Sequence, residues 1–130
     1  MASGDANRRK FAIKSKVWIE DERGKVVFGA GRLRILELVE TYGSMVAAAK
    51  ELKMSYRAVW GRIKASEGRL GQELIWRKPG GIPWGGSELT PYAHDIMEGF
   101  RQLQDQAEKD VDLIFEKIFT PDLQRSPPST

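Results

Sequence analysis

The chain contains no cysteine. Disulfide staples, thiolate nucleophiles and cysteine-ligated zinc are therefore excluded. It has one histidine, His94, which excludes a multi-histidine metal centre. No apolar run approaches the roughly 20 residues that a membrane-spanning helix needs. The basic residues between Met1 and Lys10 are not followed by a hydrophobic segment, so the start does not read as a secretory signal. A cytosolic protein without a membrane partner is expected. There is no internal repeat, no nucleophile–base set and no cluster of metal-ligating side chains. Neither an enzyme nor a bound cofactor is expected.

What is present fits one small globular domain with a helical extension. The chain has 130 residues, 41% of them hydrophobic and 30% charged. A net charge of +3 is modest, but the charge is sorted. Lys50 to Lys78 holds eight basic and three acidic residues, a net of +5. Glu88 to Phe119 holds three basic and eight acidic, a net of −5. A basic middle and an acidic end suggest one surface facing a polyanion and another facing away. Two ordinary solvated faces would give the same counts.

Residues 1–12 read as a flexible N-terminus. Residues 13–90 read as one folded domain. A strand is predicted from Ile13 to Glu20, a turn at Asp21-Glu22-Arg23-Gly24, and a return strand from Lys25 to Phe28. Trp18 and Phe28 are the expected anchors of this hairpin on the following helix. That helix runs from Arg32 to Tyr42, with Leu33, Leu36, Leu38 and Val39 on its apolar side, and Gly43 ends it. Ser44 caps a short helix, Met45 to Leu52, whose Ala47, Ala48 and Ala49 permit close approach of a neighbour. Lys53 and Met54 make a tight turn. Ser55 caps a third helix, Tyr56 to about Leu70, with Ala58, Val59, Ile63 and Leu70 available to a core. Strands at Glu73–Lys78 and Ser87–Leu89 flank a glycine-rich loop. Thr90-Pro91 then starts a helix, by a capping hydroxyl followed by proline at the first helical position.

The two helices after Ser44, joined by a very short turn, form a helix-turn-helix, and the ribbon after them forms a wing. The fold class is α+β, mainly α: a winged helix-turn-helix with an N-terminal β-hairpin and a long C-terminal dimerisation helix. The third helix offers Ser55, Tyr56, Arg57, Trp60, Arg62 and Lys64 to a DNA major groove. Arg57 can contact guanine O6 and N7 in bidentate fashion. Ser55 and Tyr56 can bond to phosphate or base edges, and Arg62 and Lys64 suit phosphates or mere solubility. Trp60 fits either core packing under the wing or the DNA surface. Arg77, Lys78, Gly80 and Gly81 are candidate backbone contacts of the wing, and Ser44 completes the set. The glycine loop lacks the lysine and the strand-to-helix setting of a nucleotide-binding loop. Trp84, within it, can stack on a ligand or on its own hairpin.

Residues 91–119 read as one helix of about 43 Å, at 1.5 Å per residue. Tyr92, Ile96, Phe100, Leu103, Ala107, Val111, Ile114 and Ile118 recur at steps of three or four. A small domain cannot easily cover such a stripe, so pairing with a second copy is expected, giving a two-fold dimer that reads two half-sites, with folding of the helix back over its own hairpin as the alternative. Residues 120–130, with Pro127-Pro128, read as a flexible tail.

Four pieces in order carry a family resemblance. They are Gly43-Ser44 leading into Ala47-Ala48-Ala49; Ser55-Tyr56-Arg57-Ala58-Val59-Trp60; Leu70-Gly71-Gln72-Glu73-Leu74-Ile75-Trp76-Arg77; and Gly80-Gly81 followed by Gly85-Gly86 and Leu89-Thr90. With the opening hairpin, they resemble the N-terminal winged helix-turn-helix domain of the molybdate-dependent transcription regulators of the ModE type, which are related to the LysR DNA-binding domain. The LysR pattern usually has serine where Trp60 stands and lacks the paired wing glycines. The resemblance implies sequence-specific binding of duplex DNA by a homodimer in a prokaryotic cytoplasm, associated with the nucleoid when bound. In full-length members a C-terminal module binds molybdate or tungstate; this chain is expected to be a stand-alone form without it, with an unidentified effector or partner protein. Three departures stand out: Ile82, Pro83 and Trp84 in the wing loop, Ala93 in place of a frequent glycine, and Lys53 in place of a turn glycine. Two alternative functions stay open: a winged-helix protein-interaction module, and direct oxyanion sensing by the short form.

Overall fold

The computed structural model describes residues 11–77 and 86–119. The element order is β1 (Ile19–Glu20), β2 (Val26–Phe28), α1 (Ala30–Tyr42), α2 (Met45–Leu52), α3 (Tyr56–Leu70), β3 (Ile75–Arg77), β4 (Ser87–Leu89) and α4 (Pro91–Phe119). Val17–Gln102 forms one compact unit. Residues 11–16 and 103–119 belong to a second. Each β-pair is an antiparallel two-stranded sheet.

The opening hairpin is shorter than the sequence predicts. Only Ile19 pairs with Phe28 and Glu20 with Val26, with an irregularity between the two. Its turn is held by Asp21, whose Oδ1 accepts from the amides of Arg23 and Lys25, both at 2.9 Å. The Lys25 bond first, then the Arg23 bond and the charges of Arg69 and Lys25, hold the Asp21 carboxyl below its ordinary value. Trp18 is not an anchor. It is 49% exposed, and its indole N–H donates to Glu20 Oε2 at 2.7 Å. Phe28 is the anchor, fully buried and edge-on to Phe100 at 5.3 Å between ring centres, and Val27 beside it is buried in the core as well. Gly29 caps α1, because a Cβ there would sit 3.0 Å from the Cβ of Trp18.

The core of this unit gathers Phe28, five apolar residues of α1 (Leu33, Ile35, Leu36, Leu38, Val39), Ala48 and Ala49 of α2, Val59 and Ile63 of α3, and Leu74 beside β3. The two buried alanines let α2 approach its neighbours closely, as their size predicts. Gly43 ends α1 at φ 66°, and its carbonyl accepts from Ser87 N at 3.0 Å, which ties the α1–α2 joint to β4. Lys53 ends α2 at φ 57°, the one non-glycine with positive φ among the described residues. A left-handed backbone costs an L-residue roughly 1–2 kcal/mol. Lys53→Gly is therefore expected to raise stability by about 0.5–1 kcal/mol, after the entropy that glycine forfeits on folding, read from the midpoint of urea unfolding.

Thr90 starts α4 as its sequence suggests, accepting from Ala93 N at 3.0 Å and donating to the Glu73 carbonyl at 2.7 Å. Ala93, Met97 and Phe100 are the residues that α4 buries in the core, with 0%, 1% and 2% exposure. The expected dimer stripe therefore divides. Phe100 is a core residue of its own unit, and Tyr92 and Ile96 pack half-buried at the core's edge. Beyond Gln102 the stripe is more open: Leu103, Ile114 and Ile118 are exposed, and Ala107 and Val111 half-buried. There Phe115 is buried and packs on Phe119, 5.3 Å between ring centres.

Candidate nucleic-acid interface

Ser55 accepts from Ala58 N at 3.0 Å and so fixes the start of α3. Its hydroxyl proton is not used in that bond, so it can donate outward. Arg57, Arg62 and Lys64 are exposed on α3. So are Ala58 and Gly61, although Ala58 reads as a core position from its spacing. The difference is one of phase: Val59, Ile63, Ser66 and Glu67 form the buried side of α3, and Ala58 falls opposite them. Ser44 differs as well. It is buried at 9% exposure, and its oxygen accepts from Ala47 N at 3.1 Å, so it builds α2 instead of lining an outer face.

Trp60 is half-buried against the core and stacks on Tyr56 at 6.4 Å and 13°. Lys64 Nζ lies 5.0 Å from its ring centre and Arg77 Cζ 5.3 Å. Arg77 also donates to the Tyr56 hydroxyl. These contacts fix two cations beside the Trp60 ring on α3, since a ring face attracts positive charge. Lys78, Gly80, Gly81 and Trp84 lie outside the described residues.

Residue reasoning missed Glu67. Its carboxylate is buried at 8% exposure and accepts from Leu74 N at 2.7 Å and Ile75 N at 3.2 Å. Lys64 Nζ lies 3.4 Å from its other oxygen. Glu67 thus ties β3 to the end of α3. In sequence it is one acidic residue in a polar helix, and no local pattern marks it. Arg32 and Arg69 were missed for the same reason: the groups they meet, Ser66 and Val26, are distant in sequence.

The assembled surface carries hydrogen-bond donors and positive charge around an exposed helix. It can hold an extended anion. Among the described residues no group of three His, Asp or Glu is placed to hold a metal ion, and no helix is long and apolar enough to cross a membrane.

Residues 31–94 match the bacterial regulatory helix-turn-helix proteins of the LysR family. This stretch is a LysR-family helix-turn-helix domain. Its boundaries enclose α1, α2, α3, both wing strands and the start of α4. The chain is 33% identical over 87 residues to the molybdenum transport protein ModE of Azotobacter vinelandii, covering 67% of this chain and 32% of that protein. It is 33% identical over 73 residues to the transcriptional regulator ModE of Haemophilus influenzae, covering 56% and 29%. The chain thus spans about a third of the length of these relatives. Among solved structures, the LysR-family domain resembles the CbnR DNA-binding domain in its DNA complex, with 29% identity and a TM-score of 0.52 over 67% of this chain and 94% of that one. Full-length CbnR with its target DNA gives 29% identity and 0.51, over 66% and 28%.

Proposed function

We propose that this chain is a sequence-specific, double-stranded DNA-binding transcription regulator that acts as a homodimer in the prokaryotic cytoplasm. The observation that carries the reading is the exposed N-terminal half of α3, capped by Ser55, with Arg57 outward and Arg77 fixed beside it by Tyr56 and Trp60. The start of such a helix, with its free amides, suits insertion into a major groove. Arg57 reads guanine. Ser55 and Tyr56 meet phosphate or base edges, and Arg62, Lys64, Arg77 and Lys78 meet phosphates, with Gly80 and Gly81 close to the backbone. The exposed apolar residues of α4 beyond Gln102 support pairing with a second copy. Two relatives named for molybdenum transport or as ModE regulators support a link to molybdate or tungstate metabolism, through an effector or partner yet to be identified.

Arg57→Ala is expected to cost about 1–3 kcal/mol on the preferred site and much less on a mismatched one. Fluorescence anisotropy with both duplexes checks this. Equal losses on the two would contradict a base-reading role.

A further inference from the structure

Helical spacing divides the surface of α3 into three strips. Tyr56, Trp60 and Lys64 follow at steps of four and form the side facing Arg77. Arg62, Ser66 and Arg69 follow at steps of four and three and form the side facing β2 and α1. Residues at such steps share a helix face. Between the two runs a ridge of the small residues Ala58, Gly61, Ala65 and Gly68, with Arg57 at its start. A Cβ built on Gly61 or Gly68 would meet nothing within 4 Å, so the ridge is open.

Arg32 reaches over from the first turn of α1 and donates through Nε to Ser66 Oγ at 3.1 Å. Arg69 donates to the Val26 carbonyl at 2.6 Å. Arg62 stands exposed one turn before Ser66 in the same run. None of the three has a carboxylate within salt-bridge range among the described residues. Asp21 feels the charge of Arg69, but its Oδ1 already accepts from two turn amides. Burial first, then the charges of Arg62 and Arg69, pull the Arg32 guanidinium below its ordinary value. Three like charges are thus gathered on a frame of neutral acceptors, and a multivalent anion would relieve their repulsion.

We propose that Arg32, Arg62 and Arg69 form a second phosphate-binding edge, which grips the DNA strand opposite the one met by Lys64 and Arg77. The inference rests on the DNA-binding reading above. Both borders of the major groove are then held, and the small ridge lets the helix sit deep between them. The edge joins the hairpin to the DNA side of the molecule through Val26, a role for β2 that its own composition does not suggest.

The test uses the full chain and a mixed-sequence 30-base-pair duplex, titrated over salt by fluorescence anisotropy. Each phosphate contact adds about 0.9 to the slope of log affinity against log salt. Arg62→Gln is expected to reduce that slope by about one contact and to weaken binding several-fold, equally on matched and mismatched sites. Arg62→Lys should restore the slope. Phosphate-ethylation interference should lose its signal on one strand with Arg62→Gln or Arg32→Gln, and on the other with Lys64→Gln. An unchanged slope and pattern in Arg62→Gln and Arg32→Gln, with Arg57→Ala still impaired, would overturn the inference and leave the DNA reading standing. Wild-type protein that binds no duplex at any salt would overturn both.

Discussion

Phe100→Ala is expected to destabilise the Val17–Gln102 unit by about 3–5 kcal/mol, the usual cost of emptying a buried aromatic site. Its ring is 2% exposed and meets Phe28 edge-on, so the cavity would open where β2 and α4 join. Domains of this size hold only about 5–15 kcal/mol in all, so the variant should melt far below the parent. The loss should be independent of protein concentration, because the contact lies within one unit. A loss that varies with concentration would instead mark Phe100 as an interface residue. Ile118→Ala should behave differently, since Ile118 is 62% exposed: in the proposed dimer its effect on stability depends on protein concentration and fades as the protein is diluted to monomer.

Glu67→Ala is expected to cost about 2–4 kcal/mol. It would strip the acceptor from the buried amides of Leu74 and Ile75, and each orphaned group costs about 1–3 kcal/mol. Glu67→Gln keeps an oxygen for the amides and loses only the attraction to Lys64, so a loss of about 1 kcal/mol or less is expected for this variant. Urea unfolding of the two variants separates the effects. Similar losses for Ala and Gln would show that the charge, and not the acceptor geometry, holds the wing to α3. Amide exchange at Leu74 and Ile75 should speed up in the alanine variant first, because these two N–H groups depend directly on the side chain.

Much of this fold is legible because its signals are local. Ser44, Ser55 and Thr90 announce helix starts by a hydroxyl that accepts an amide three residues on, and the structure has all three bonds. Gly43 and Gly71 announce helix ends by left-handed backbone. What is not legible depends on distant partners. Trp18 has the composition of a strand anchor, but the shortened β1 leaves its ring outside, and Val27 and Phe28 of β2 take the core. The stripe on α4 points to pairing with a second copy and does not mark the residues that face the core at its start. Tyr92 and Ile96 keep the periodicity, yet Ala93 and Met97 are the buried pair. A small alanine and a pliable methionine do not stand out as an apolar face, although they fit a crowded one. The exposed polar residues of α3 are visible as types, but the cation frame of Arg32 and Arg69 is not. It exists only once β2, α1 and α3 are packed.

The measurement that bears most directly on the central claim is selection of bound fragments of the source genome by the purified full chain, sequenced at about 0.15 M salt, a strength at which weak phosphate-only binding is largely suppressed. A two-fold symmetric site with half-sites about one helical turn apart should be enriched, and Arg57→Ala should abolish the enrichment. A library that emerges unchanged, both without and with added molybdate, would contradict the claim.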